Sequence, residues 1–125
     1  MPTDEKKTIL AVLEDLFFTV KINESAKRAG MPAVFVKTET DALARAKDKP
    51  VVMIIDLNCG SIDPLQLIRA MKADPELKGI NLIGYVSHVQ GELKQQAQEA
   101  GCNMVMPRSA FSQNLPQILK RHAGQ

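Results

Sequence analysis

The run Val51–Ile55 (VVMII), five apolar residues in succession ended by Asp56, constrains this chain more than any other stretch. A strand apolar at every position is buried on both faces, and such strands belong to parallel sheets covered by helices on either side. Four further runs read the same way: Thr8–Leu13 (TILAVL), Ala33–Val36 (AVFV), Leu82–Val86 (LIGYV) and the short Met104–Met106. Between them lie amphipathic stretches. Phe18, Ile22 and Ala26 recur every four residues until Gly30, a residue suited to end a helix. Ala42, Leu43 and Ala46 mark a short helix with Thr38 or Thr40 as its N-cap. Asp63-Pro64 reads as an N-cap and first helical residue, with Leu65, Ile68 and Met71 inward until Asp74-Pro75. Gln90–Ala100 is a mostly polar helix closed by Gly101. Ser112–Arg121 is the last, with Leu115, Ile118 and Leu119 inward and Pro116 near its first turn.

Strict alternation of strand and helix implies right-handed crossovers and a three-layer α/β sandwich. Five such units fit a doubly wound sheet of order 2-1-3-4-5. The 125 residues are expected to form a single domain, 1–125 with its core at about 7–122, and no separate output domain.

Charge excludes several functions. A net charge of +2, with basic residues scattered among acidic ones, is no nucleic-acid footprint. No apolar run approaches the ~20 residues of a spanning helix, and the polar N-terminus has no signal-peptide core, so no membrane partner and a cytoplasmic location are expected. Cys59 and Cys102 lack metal-ligand spacing and read as free thiols in a reducing compartment.

In a doubly wound sheet the functional edge is where the strands end at their carboxyl termini. Glu14 and Asp15 follow the first strand, Asp56 the third, Ser87 the fourth, and Arg108 the fifth, across Pro107. The chemistry that fits is phosphoryl transfer to a carboxylate. Asp56 is the nucleophile, Glu14 or Asp15 holds a magnesium ion together with Asp56, and Ser87 and Arg108 grip the phosphoryl oxygens. Asp15 has a second reading as the N-cap of the helix that follows it. Asp56 is the hardest to dismiss, because an isolated aspartate at a partly buried strand end is costly unless it is paired or used. His88 reads as a loop histidine rather than a ligand.

From about Lys7 to His122 the chain resembles the receiver domain of bacterial response regulators, whose fold is flavodoxin-like. The segment VVMIIDLNCGSIDPLQLIRAMK resembles the family's third strand and helix without gaps. The resemblance implies that Asp56 is the phosphoacceptor, that the backbone carbonyl of Asn58 binds Mg2+, that Ser87 is the switch hydroxyl, and that Arg108 takes the place of a lysine. It further implies a histidine kinase or phosphotransfer protein and a downstream protein as partners. The chain would be a monomer or weak homodimer, and no enzyme beyond self-phosphorylation and slow dephosphorylation at Asp56. The departures fall on the chemistry. Leu13 stands at the first of two metal-side acids unless the strand shifts by one. Arg108 presents a planar fork, Ser109 and Gly60 replace prolines, and Val105 replaces the switch aromatic. A phosphorylation-independent interaction module of the same fold, using the face around the fourth helix, fifth strand and last helix, is the alternative.

Overall fold

The computed structural model describes residues 7–87 and 91–124. His88, Gln90 and the N-terminal residues ahead of Lys7, on which three of these expectations fall, lie outside that range. Among the described residues the strands are β1 (Ile9–Val12), β2 (Ala33–Val36), β3 (Val52–Asp56), β4 (Asn81–Val86) and β5 (Met104–Pro107). The helices are α1 (Leu16–Arg28), α2 (Glu39–Ala46), α3 (Pro64–Ala73), α4 (Gly91–Ala100) and α5 (Arg108–His122). Every ladder is parallel, in the order β2-β1-β3-β4-β5. This is the doubly wound α/β sandwich that the alternation of runs implies.

The two-residue period of the central strands divides the core. Met53 and Ile55 of β3 face a layer built on α2, α3 and α4, with Ala42, Ala46, Leu67, Ile68, Met71 and Ala97. Val52 and Ile54 face α1 and α5, with Phe18, Ile22, Ala26, Phe111, Leu115 and Leu119. Asp56 continues the Val52–Ile54 side of the strand, so its carboxylate lies toward α1 and α5. Full burial of β1 and most of β3 explains why both read as unbroken apolar runs.

The caps follow local chemistry. The hydroxyl of Thr38, not that of Thr40, accepts the Asp41 amide hydrogen bond at 3.1 Å. Asp63 accepts from the Gln66 amide at 3.2 Å, with Pro64 in the first turn. Gly30 and Gly101 turn the chain beyond α1 and α4 with φ of 78° and 116°, a region costly for other residues. Leu67 rather than Leu65 completes the inner face of α3, Leu65 being at its margin.

The last helix differs from expectation. It begins at Arg108 instead of Ser112, so Pro116 lies in its interior rather than near its first turn. The reason is Phe111, which is fully buried and extends the inward row of Leu115, Ile118 and Leu119 by one turn. Pro116 sits on the exposed side of the helix, where the missing amide deprives only the Ser112 carbonyl of its helical partner. No described helix is long and apolar enough to cross a membrane. One further position governs the site from below: a Cβ on Gly84, inside β4, would come within 2.9 Å of the Leu57 side chain.

Candidate functional site

The segment after β3 folds back on its own aspartate. One carboxylate oxygen of Asp56 accepts from the Asn58 amide at 2.9 Å, and its carbonyl accepts from the Cys59 amide at 3.0 Å. The Leu57 amide continues the ladder onto the Tyr85 carbonyl at 3.0 Å. This Asx-turn fixes the direction of Asp56 through its own backbone. The carboxylate is half-buried, and its pKa is raised above the ordinary 3.8, first because burial penalises the charge. The Asn58 amide opposes that rise, the negative charges of Asp15 and Glu14 add to it, and Arg108 opposes it.

Asn58 also ties β3 to β4. Its side-chain oxygen accepts from the Ser87 amide at 2.8 Å and from the Ser87 hydroxyl at 3.0 Å. Ser87 is therefore held within two residues of Asp56 by a side chain assigned beforehand only a backbone role.

Glu14 and Asp15 part company. Leu13, directly after β1, is buried in the core, so the acids at this edge begin with Glu14. Glu14 is exposed, and the Cys59 thiol donates to it at 3.9 Å; that thiol also lies 3.2 Å from the Ser61 hydroxyl. Asp15 caps α1, one oxygen accepting from the Phe17 and Phe18 amides at 2.8 and 3.4 Å. Its other oxygen accepts from Arg108 Nη2 at 3.0 Å. Asp15 is thus the N-cap of α1, and it stands among the charges around Asp56.

Arg108 opens α5, where a cation meets the unfavourable end of the helix dipole. Two contacts offset this: the Asp15 pair, and the face of Phe18 beneath its guanidinium, 4.9 Å from the ring centroid. The Phe18 ring in turn packs against Tyr85 and Phe111, at 4.8 and 5.9 Å between centroids. The arginine therefore rests on an aromatic cluster joining α1, β4 and α5.

With Asp15 and Arg108 side chains 27% and 40% exposed, the ion pair itself contributes little in water. The cap contributes more. Asp15→Ala is expected to lower stability by about 0.5–2 kcal/mol, whereas Asp15→Asn, an equally good cap, changes it by a few tenths. Urea unfolding of both variants at neutral pH checks this; equal losses would show that the charge, not the cap, matters.

Cys59 and Cys102 are free thiols, and both are buried. Among the described residues no group of three or more His, Cys, Asp or Glu side chains is assembled to hold a metal. Magnesium, however, keeps several waters and takes only one or two carboxylates. Glu14, Asp56 and the Asn58 carbonyl are the oxygen donors that would hold it, and a cation there would offset the charges of Asp15 and Glu14, which add to the rise that burial gives the Asp56 pKa.

No family model and no curated protein matches the chain by sequence. Its fold is nevertheless that of response-regulator receiver domains of known structure. The phosphorylated cyanobacterial phytochrome response regulator RcpA aligns with a TM-score of 0.78 and 21% identity, over 93% of this chain and 90% of its own. Chemotaxis response regulator CheY4 of Vibrio cholerae aligns at 0.80 and 19%, covering 94% of this chain and 98% of its own. The receiver domain of sensor histidine kinase PA1611 from Pseudomonas aeruginosa PAO1, solved with magnesium coordinated in its active-site cleft, aligns at 0.79 and 19%, over 96% and 99%.

Proposed function

We propose that this protein is a divergent receiver domain in phosphorelay signalling, accepting a phosphoryl group on Asp56. The observation that carries the reading is the half-buried Asp56 carboxylate at the tip of the middle strand, directed by the Asn58 amide and flanked by Glu14, Asp15, Ser87 and Arg108. In the reaction an Asp56 oxygen forms the new bond to phosphorus as the donor's bond breaks and its leaving group departs with the electron pair. Asn58 keeps the attacking carboxylate in line, and the raised pKa marks a carboxylate whose charge is poorly solvated. The Ser87 hydroxyl, released from Asn58, and the Arg108 guanidinium, released from Asp15, supply donors to the phosphoryl oxygens. Magnesium, held by Glu14, Asp56 and the Asn58 carbonyl, would neutralise the charge that otherwise repels the donor. Incubation with magnesium and a small acyl phosphate, followed by intact-mass measurement, tests the reading. Absence of the phosphoryl adduct at saturating donor rejects it.

The partner in this reading is a protein bearing phosphohistidine, met through the first turns of α1. Leu16, Phe17 and Val20 are 79%, 64% and 56% exposed, a large apolar surface immediately after Asp15. Phe17→Ser is expected to slow transfer from a phosphohistidine protein about tenfold or more and to leave labelling by the small donor unchanged. Equal slowing with both donors would place the fault in the chemistry rather than in docking.

A second reading is an interaction module independent of phosphorylation, using the face around α4, β5 and α5. Val105, buried where the family carries its switch aromatic, favours it. Partner capture that is unaltered by Asp56→Asn and by phosphodonor would select that reading over the first.

A further inference from the structure

Among the described residues, the Tyr85 hydroxyl is the one buried side-chain polar atom without a hydrogen-bond partner. The residue is 2% exposed, and its ring is tilted against Phe18 and stacked on Phe111, each 4.8 Å away between centroids. Burying a hydroxyl unpaired carries a free-energy cost that phenylalanine would avoid at the same position. Such a group calls for an explanation in what it does.

Its location supplies one. Tyr85 and Asp56 are register partners in the β3–β4 ladder, and both side chains lie on the face turned toward α1 and α5. The charges that bear most on the phenol are those of Asp56, Asp15 and Arg108. Burial and these carboxylates hold the phenol far above its ordinary pKa, so it is a neutral donor at any working pH. The hydroxyl reaches none of the acceptors around it. Asp15 already receives the Phe17 and Phe18 amides and Arg108, and one Asp56 oxygen receives the Asn58 amide. The unpaired donor beneath the acid cluster is therefore open to an acceptor that arrives from outside.

We propose that Tyr85 is a ligand-binding residue in the floor of the site, its hydroxyl donating a hydrogen bond to a tetrahedral oxyanion carried on Asp56. The ligand class is a phosphoryl group, or a fluoride complex of the same shape. This inference rests on Asp56 being the acceptor, and it adds to Ser87 and Arg108 a donor that is buried, uncharged and already in place.

The probe is beryllofluoride with magnesium, titrated by calorimetry into the wild type and Tyr85→Phe. The variant is expected to bind it about tenfold or more weakly, while its metal-free form unfolds at the same or a higher urea concentration. Equal affinities overturn the inference and leave Asp56 as acceptor. A less stable metal-free variant also overturns it, because the hydroxyl would then be bonded, through water, in the free protein. A wild type that binds no beryllofluoride removes the Asp56 reading itself, and the inference with it.

Discussion

Asp56→Asn is expected to abolish labelling by an acyl phosphate completely and, in metal-free buffer at neutral pH, to make the fold more stable. The first effect follows from the role proposed for Asp56 as nucleophile, since an amide oxygen does not form the acyl phosphate. The second follows from the site's electrostatics. The folded-state pKa of Asp56 is raised above 3.8 by burial and by Asp15 and Glu14. Below the unfolded pKa both states are protonated, and the stability associated with this group is fully present. As pH rises past 3.8 and through the folded value, the unfolded chain releases its proton more readily, and that stability is lost. Asparagine keeps the acceptor for the Asn58 amide and carries no charge. The gain is expected to be about 0.5–2 kcal/mol, in the range found where function is held at the expense of stability. Urea midpoints for both proteins from pH 3 to 8 check it. The curves should meet at the acid end and separate as pH rises; a constant gap would show that the charge of Asp56 is already compensated.

The largest loss of stability is expected from Phe18→Ala, at about 3–5 kcal/mol. Phe18 is 1% exposed and joins Tyr85 and Phe111 in the layer between the sheet and helices α1 and α5. Against the roughly 5–15 kcal/mol by which domains of this size are folded, that is a large share. The same substitution removes the face on which Arg108 rests. Phe18→Leu separates the two roles, because leucine fills most of the volume and offers no π face. It is expected to cost markedly less stability while freeing the guanidinium. A urea series at constant slope measures the first role. Nearly equal losses for Ala and Leu would mean that the ring's stacking and cation contacts, rather than its volume, hold the layer.

The fold was legible because each level of the sequence agreed with the next. Apolar runs, four-residue periodicity and turn residues all pointed to the same alternation, and Asp63-Pro64, Gly30 and Gly101 marked their helix ends by known chemistry. The start of α5 escaped detection because Pro107 contributes no side-chain cap, and nothing in Arg108-Ser109-Ala110 signals a first turn. Only the burial of Phe111 reveals it. The strand ends likewise identified Asp56, Ser87, Glu14, Asp15 and Arg108 as candidates. Contacts made by side chains reaching sideways escaped detection: Asn58 onto Ser87, Arg108 onto Phe18, and the Cys59 thiol toward Glu14. Periodicity assigns faces, not reach. Tyr85 did carry a signal, being the single tyrosine of the chain, set in the otherwise apolar run Leu82–Val86 where a phenol needs a partner.

Gly84 gives the acid cluster a foundation on the opposite side of the sheet. With only hydrogen at that position, Leu57 settles against bare backbone, and the turn that aims Asp56 takes its height from that resting place. Leu57 packs among the residues of α2, α3 and α4, so the turn that holds Asp56 is anchored on the side of the sheet away from the acid cluster. A single methyl at position 84 would press on Leu57 and so displace that turn while every ionisable group stays as it is.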